Sequence, residues 1–124
     1  MAATRRKTLL ALVARTANET SAAIATNNAR DVTVDINLDA LSATSSVTFT
    51  VQGLDSAAGE WFDLLATAAI ATAAAPTRVR LSIGPDFATT ANVSAAGVLP
   101  VQIRVATSGT WTTGTFSALA HLIS

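Results

Sequence analysis

The chain has few of the residue types from which catalytic and metal sites are built. Its 124 residues include no cysteine and a single histidine. The absence of cysteine excludes a disulfide framework, a thiolate zinc site and a cysteine nucleophile. His121 lies in an apolar C-terminal segment, and the sequence shows no partner residue with which it would form a catalytic motif. We therefore expect a structural or surface histidine rather than a general base. The sequence therefore predicts neither an enzyme nor a bound cofactor or metal.

Charge and aromatic residues are also scarce. Eight basic and eight acidic residues give a formal net charge of zero, which provides no electrostatic footprint for nucleic acid or an acidic membrane. Half of the residues are apolar, and the polar remainder is rich in Thr and Ser rather than in the Lys and Glu of a helical bundle. β-Branched residues suit a pleated surface. A chain of this length and composition predicts one all-β domain.

Alternation of apolar and polar residues predicts the strands. It is clearest over residues 31–39, where the residues expected to face inward are Val32, Val34, Ile36 and Leu38. The outward row is acidic and includes Asp31, Asp35 and Asp39, so we expect Arg78, Arg80 or Arg104 to lie opposite on a neighbouring strand. Similar alternation predicts strands over residues 46–52, 78–83 and 101–105. We expect Leu81 and Ile103 in the core, with Val101 on the same face of its strand as Ile103.

Residues 46–65 are predicted to form a hairpin. Gly53 closes the first strand, residues 54–60 supply turn formers, and Trp61 begins the return strand. The hairpin carries Asp55, Glu60 and Asp63, which could hold a calcium ion, but their spacing matches no known calcium loop and exposed carboxylates are common in turns. Trp61 or Trp111 could form a sugar-stacking platform, although tryptophan in a small β-domain more often lies in a core or an interface.

The N-terminal region combines a basic cluster with an apolar run. Arg5, Arg6 and Lys7 followed by residues 9–14 imitate a signal peptide, but the apolar run is short and Arg15 interrupts it. We predict instead that residues 1–15 form a basic arm leading into a first strand near residues 8–14, and that residues 16–124 form a single domain. An exposed basic arm could contact an acidic partner surface.

The remaining segments are less regular. Residues 66–76 are rich in alanine but end at Pro76, which favours a strand and loop over a helix. Residues 87–97 are predicted to be a long connection, and residues 110–123 a last strand pair or one bent strand. Several short strands separated by turns, each with one apolar face, predict an antiparallel two-sheet β-sandwich or a jelly-roll-like domain.

Five segments resemble a family of small tailed-phage and prophage virion proteins. They are KTLLALVARTANETSAA, VTVDINLDALS, SVTFTVQGLDSAAGEWFDLLATAAIATA, VLPVQIRV and LAHLI. In that family a VTxTVQG strand precedes a turn of the form D-x-x-S/A-G-x-W/Y and a T/A-rich segment. The chain departs from the family after Gly84-Pro85, where it reads DFATTANVSAAG, so no contact of this loop is carried over.

The resemblance implies a structural protein of the virion. Members resemble capsid decoration or cement proteins and head or tail accessory proteins, so we expect a decoration protein on the capsid surface that contacts the major capsid protein. We further expect a homo-oligomer, with a trimer favoured, and no contact with nucleic acid or membrane. The residues expected to touch the partner are Arg5, Arg6, Lys7, Asp55, Glu60 and Trp61. The alternatives are a carbohydrate-binding or host-attachment module and a head-tail or tail accessory protein.

Overall fold

The computed structural model describes residues 4–124, apart from the side chain of Ala73. This part of the chain forms ten strands and one short 3₁₀ helix, η1 (Thr72–Ala74). The strands are β1 (Thr4–Arg15), β2 (Ile24–Ala25), β3 (Asp31–Leu41), β4 (Ser46–Asp55), β5 (Glu60–Ala66), β6 (Ile70–Ala71), β7 (Thr77–Gly84), β8 (Ser94–Ala96), β9 (Gln102–Thr110) and β10 (Gly114–Ile123). Across the described residues, no helix has the length and apolar character needed to cross a membrane.

The strands form two sheets that pack face to face. Sheet A has the order β1-β10-β3-β7-β8, and sheet B has the order β2-β9-β4-β5, with β6 also paired to β4. Every pair is antiparallel except β7 with β8. The predicted all-β, two-sheet sandwich is confirmed.

The core lies between the sheets and follows from the alternation along the strands. In β3 every second residue from Val32 to Leu38 is buried, because successive side chains of a strand point to opposite faces. Phe49 of β4 and Phe116 of β10 meet edge to face across the interface, with ring centroids 5.1 Å apart. With the exception of Val101, which is exposed, the residues expected in the core are buried, including Val34, Ile36, Val47, Phe49, Val51, Leu81 and Ile103.

Two hydroxyl groups are buried because they serve backbone groups that no neighbouring strand reaches. Thr67 Oγ1 accepts a hydrogen bond of 3.1 Å from the Phe49 amide, and the Thr67 amide donates in return to the Phe49 carbonyl. Ser21 Oγ accepts from the Val105 amide at 2.9 Å. A buried amide without a partner would cost free energy of folding, so these polar residues complete the ladder of sheet B.

The N-terminal arm prediction is corrected from residue 4 onward. The basic cluster lies inside β1, which pairs with β10 from Thr4 to Arg15, so β1 belongs to the sandwich and no boundary separates residues 15 and 16. The expected strand begins earlier because β10 is long enough to pair with the basic residues as well. Residues 1–3 of the predicted arm lie outside the described residues.

The hairpin is present, but its bounds differ from the prediction. Gly53 lies within β4, which continues to Asp55, and the turn is confined to residues 56–59. Gly53 remains in the strand because its face is covered by other residues: a Cβ there would lie 2.5 Å from Pro100 Cγ and 3.1 Å from Leu64 Cδ1. Glycine is therefore required here by close packing rather than by a turn.

The less regular segments agree with the predictions in outline. Residues 66–76 contain β6 and the three-residue η1, with Ala75 extended before Pro76. The connection over residues 87–97 contains the short strand β8, which the sequence did not predict. Residues 110–123, predicted to be a strand pair or one bent strand, contain the single strand β10, because Thr110 ends β9 in sheet B and residues 111–113 cross to sheet A.

The acidic row of β3 has one of the expected arginine partners. Asp35 lies opposite Arg80 of β7 in the register, and the Arg80 Nε donates to Asp35 Oδ1 at 2.7 Å. Asp31 lies instead over Gly84, where a Cβ would clash with its carboxyl group. Arg104 is on sheet B and does not reach this row.

The strand registers define two ends of the sandwich. One end, called the tip, contains the beginning of β1, the end of β10, the β4–β5 turn and the loops over residues 26–30 and 97–101. The opposite end contains the segments over residues 16–23, 42–45, 66–76 and 111–113. Across the sandwich, β1 lies against β9 and β5 lies against β7 and β8, so β1 and β5 are the lateral edges on opposite sides.

Candidate partner-binding surface

All six predicted contact residues lie at the tip, but in two separate groups. Arg5, Arg6 and Lys7 lie near the start of β1, on one lateral edge of the sandwich. Asp55, Glu60 and Trp61 lie around the β4–β5 turn, on the opposite lateral edge. Loops over residues 26–30 and 97–101 separate the two groups.

The basic group is held by β1 and partly by a loop. The Arg5 guanidinium donates from Nη2 to the Thr26 carbonyl at 2.8 Å and to the Asn27 carbonyl at 3.3 Å. Arg5 therefore joins β1 to the loop that precedes β3. Arg6 and Lys7 are exposed and make no ion pair with any described residue.

Asp55 has a structural role in the hairpin turn. Its Oδ1 accepts from the amides of Ala57 and Ala58 at 3.1 and 3.3 Å, and its carbonyl accepts from the Gly59 amide at 2.7 Å. Gly59 has a φ of 70°, a value that favours glycine. The local sequence D-x-x-x-G therefore folds the turn, and it presents the neighbouring Glu60 to solvent.

Trp61 is part of a network on the outer face of sheet B. The Arg104 guanidinium lies over its ring, 4.2 Å from the centroid, a cation–π contact. Arg104 Nε donates to Gln52 Oε1 at 2.8 Å, and Gln52 Nε2 donates to Asp63 Oδ1 at 3.0 Å. This network joins β9, β4 and β5, and it holds Trp61 with one face of its ring covered.

Trp111 lies at the opposite end and cannot form a sugar-stacking platform with Trp61. Its Nε1 donates to Asn18 Oδ1 at 2.8 Å, and its ring packs edge to face on Phe116, 5.6 Å between centroids. Trp61 pairs with Leu54 near the end of β4, and Thr110, which precedes Trp111, pairs with Ser46 at the start of β4. The two ends of β4 are roughly 25 Å apart at the usual rise per residue. Trp111 therefore completes the core.

The tip also carries an exposed apolar surface that was not predicted from the sequence. Among the described large apolar residues, Val98 is the most exposed at 87%, and Val101 and Phe62 are 57% and 45% exposed. They belong to what we call the apolar tip surface: Leu54, Phe62, Leu64, Val98, Leu99, Pro100 and Val101. A groove of about 440 Å³ runs between the hairpin and the 97–101 loop, and one of about 450 Å³ lies on the other side of that loop.

The loop that carries this surface is anchored on both sides. The Thr26 amide donates to the Val101 carbonyl at 3.0 Å, and Thr26 Oγ1 donates to the Pro100 carbonyl at 2.7 Å. On the other side, Pro100 packs into the space left by Gly53. Val98 and Val101 are thus held outward by a fixed backbone, in an arrangement suited to a partner surface.

One signal in the sequence could have indicated this surface. The run VLPV precedes β9, and Val101 was predicted to face inward with Ile103 because the two residues share a period of two. The register shows that β9 begins at Gln102, so Val101 belongs to the loop and the period does not apply to it. Apolar residues just outside an alternating segment, next to a proline, were the available signal.

The outer face of sheet A carries a polar cluster. Asp35 accepts from Arg80, and its Oδ2 lies 2.9 Å from His121 Nε2. Partial burial acts to raise the pKa of Asp35, but the hydrogen bonds and charges of Arg80 and then His121 outweigh it and hold that pKa below its usual value. The hydrogen bond and charge of Asp35 raise the pKa of Arg80. A shallow groove of about 320 Å³ lies beside this cluster.

His121 has a carboxylate partner that was not predicted from the sequence. His121 contacts a carboxylate that an arginine also binds, and no described serine, threonine or cysteine lies within hydrogen-bond distance of its ring. Within the part of the chain that the structure describes, no three His, Cys, Asp or Glu residues are grouped so that they could hold a metal ion. The carboxylates of Asp55 and Asp63 instead accept hydrogen bonds from protein groups.

Comparison with known proteins gives a shared fold. No protein-family model matches the chain, and no curated protein matches it in sequence. The crystal structure of the SPBc2 prophage-derived protein YomS is similar, with a TM-score of 0.54 and 16% identity over 100% of this chain and 96% of YomS. A structure described as Bacillus endospore appendages that form a novel family of disulfide-linked pili matches with a TM-score of 0.41 and 15% identity, over 98% of this chain and 84% of that chain. The second likeness is too weak to support an argument, and the first shows that this chain shares its fold with YomS.

Proposed function

We propose that this protein is a structural protein of a tailed-phage or prophage particle, and that it binds the outside of the capsid as a decoration protein. The observation that carries the proposal is the apolar tip surface, with Val98 87% exposed on an anchored loop. A capsid-bound protein needs a rigid body and a surface whose removal from water costs little free energy. Exposed apolar residues on a fixed backbone meet both needs.

Two further observations support the phage context. The segments that resemble tailed-phage and prophage virion proteins extend over most of the chain and include β4 and β5, most of β3 and the first part of β9. YomS, which shares the fold, is itself a prophage-derived protein. The residues that make up the apolar tip surface are all uncharged, which suits the centre of an interface because charged residues are depleted there.

In this proposal the tip faces the major capsid protein. The apolar tip surface forms the centre of the contact, and Glu60 and the basic residues of β1 lie at its rim. Rim charges affect the rate and salt dependence of association more than the affinity. In this proposal Trp61, whose ring is held by Arg104, makes a rigid contact beside the centre of the interface. It is not the main anchor.

Binding of the purified protein to undecorated capsids tests the proposal. We expect Val98→Ser with Val101→Ser to weaken binding by more than about tenfold, because each buried valine contributes on the order of 1 kcal/mol. The matched control is Leu12→Ser with Val13→Ser, which removes two apolar side chains that are each 50% exposed but lie far from the tip. Equal binding by the wild-type and Val98/Val101 variants would contradict the role of this surface.

Cryo-electron microscopy of assembled particles tests the location. We expect density for this chain on the outside of the head, with the tip against the shell, at contacts between capsomers. Density confined to the tail would overturn the decoration role and favour a tail accessory protein. Counting bound copies per particle then distinguishes a protein at every three-fold position from one at the vertices.

A further inference from the structure

Two groups of charges without ion-pair partners lie on the two lateral edges of the sandwich. Most other charged side chains are matched within the described residues, including Arg15 with Glu19, Arg30 with Asp86 and Arg80 with Asp35. On the β1 edge the unmatched residues of the strand are basic, and those of the β4–β5 hairpin are acidic: Arg5, Arg6 and Lys7 on one side, and Asp55, Glu60 and Asp63 on the other. The remaining charges without an ion pair belong to β3, β7 and β9, and among them Arg104 of β9 is stacked on Trp61. A neutral molecule therefore has one basic and one acidic side.

The basic edge is an open stretch of strand backbone. Residues 4–8 of β1 pair in unbroken register with β10, and bulges follow between Thr8 and Leu10 and between Leu10 and Val13. Within the described chain, no backbone hydrogen bond from another segment reaches the outer side of residues 4–8. In the bulged region the Arg15 guanidinium donates to the carbonyls of Ala11 and Val13 at 2.5 and 3.1 Å and to the Phe116 carbonyl of β10 at 2.5 Å, so it joins the irregular part of β1 to β10. Bulges disrupt regular strand pairing, so the edge of β1 is regular only over residues 4–8.

The acidic edge has the same construction. Residues 60–63 of β5 pair in unbroken register with β4, and a bulge follows at Leu64. Farther along β5, the Ala66 carbonyl accepts from Asn92 Nδ2 at 3.0 Å. Both lateral strands are thus irregular or capped toward the far end of the sandwich, and regular and open only near the tip, where the unmatched charges lie.

These charges determine which edges can meet. If two copies paired β1 with β1, the arginines and lysine would face like charges, and β5 with β5 would oppose carboxylates. Like charges directly opposite on paired strands destabilise the pair, whereas opposite charges stabilise it. The open stretch of β1 is therefore complementary only to the open stretch of β5, and a single chain cannot join its own two edges because they lie on opposite sides.

We propose that copies of this protein associate side by side, with residues 4–8 of β1 in one copy against residues 60–63 of β5 in the next. The occupant of each edge is a second copy of the same chain. Such a head-to-tail contact uses two different surfaces, so it closes into a ring or continues as a row according to the angle between copies. A ring of three copies would agree with the trimer expected from the sequence, and the tips of all copies would face the same way.

A charge exchange tests the contact in solution. One variant carries Arg6→Glu with Lys7→Glu, and the other carries Glu60→Lys with Asp63→Lys. Arg5 and Asp55 stay unchanged because they hold a loop and a turn. We expect the wild-type protein to sediment as an oligomer, each variant alone as a monomer, and an equimolar mixture of the two variants as an oligomer again.

Salt and a control variant sharpen the test. Raising the salt from about 0.01 M to about 1 M shortens the screening length from about 30 Å to about 3 Å, so the wild-type oligomer should dissociate. Arg78→Glu, which reverses an exposed unmatched charge on the outer face of sheet A, should leave the oligomer unchanged. Thermal unfolding of every variant verifies that it is folded.

Three results would overturn the proposed contact. They are a wild-type monomer at low salt up to about 1 mM protein, an oligomer in each folded variant alone, and a mixture that stays monomeric. The association is a property of the free protein and is measured without capsids. A failure here therefore leaves the capsid contact of the apolar tip surface unaffected, and a failure of capsid binding leaves this result unaffected.

Discussion

Val98 and Val105 flank the start of β9, yet Val98 is 87% exposed and Val105 is fully buried. Val105 lies on a strand whose alternation places it between the sheets, and Val98 lies on a loop held outward by Thr26 and Gly53. The hydrophobic effect acts equally on both side chains. The comparison between the core and the apolar tip surface therefore shows where folding has used the apolar residues and where it has left them available for a partner.

The largest change in the free energy of unfolding is expected when the same residue type, phenylalanine, is replaced in both regions. Phe116→Ala should destabilise the protein by about 3–5 kcal/mol, because it removes a fully buried ring and its edge-to-face contacts with Phe49 and Trp111. Phe62→Ala, at the tip, should cost about 1 kcal/mol or less because its ring is already partly in water. Chemical denaturation measures both values. Similar losses would mean that the tip is part of the core.

A second test concerns the polar groups inside the core. Thr67→Val should cost about 1–3 kcal/mol, because the buried Phe49 amide loses the hydroxyl that accepts its hydrogen bond. Thr48→Val is the matched control on the outward face of β4, where the hydroxyl makes no hydrogen bond to a described residue, and it should change stability by less than about 0.5 kcal/mol. An equal effect of the two substitutions on the denaturation midpoint would contradict the assigned role of Thr67.

A third test lies at the boundary of the two regions. Gly53→Ala should cost about 1–2 kcal/mol and weaken capsid binding, because the new methyl group would lie 2.5 Å from Pro100 Cγ and displace the loop. Adding Pro100→Ala should recover part of the stability, since it removes the clashing atom. A double-mutant cycle from thermal unfolding measures this coupling. Independent effects of the two substitutions would show that Gly53 does not position the loop.

The smallest effect is expected on the outer face of sheet A. The pKa of Asp35 is lower in the folded protein than its usual value, so its contribution to stability is present above about pH 4 and is lost as the pH falls through the folded-state pKa. Asp35→Asn should remove a few tenths of a kcal/mol at neutral pH, because the carboxylate is partly exposed. Wild-type and variant stabilities should converge in acid. Parallel curves from pH 7 to pH 2 would contradict the role of the Asp35 charge.

Much of the fold could be predicted from local patterns. Apolar and polar residues alternate along β3, β4 and β7 because each strand has one face in the core. Val34, Phe49 and Leu81 are buried as expected. Where a strand ends was harder to predict. Gly53 resembles a turn residue in the sequence, but it lies within β4 because Pro100, which is distant in the chain, fills its space.

The candidate site was predictable in part. The basic and acidic groups were visible as charge clusters, and both lie at the tip, but their placement on opposite edges depends on the order of strands in two sheets. The apolar tip surface was missed because Val101 matched the period of β9 by coincidence. The network of Trp61, Arg104 and Gln52 joins three strands, and no local pattern reports a contact of that kind.

The sequence by itself determined that the protein is an all-β sandwich, because the period of two and the β-branched composition act within each strand. The tertiary structure alone decided three properties: that β1 includes the basic cluster, that β1 and β5 are the two lateral edges, and that the loop over residues 97–101 meets the hairpin at the tip. These properties arise from contacts between segments far apart in the chain, such as Arg15 with the Phe116 carbonyl and Arg5 with the Thr26 carbonyl. The physical reason is that strand order and register are chosen by the packing of the whole core rather than by the residues of one segment.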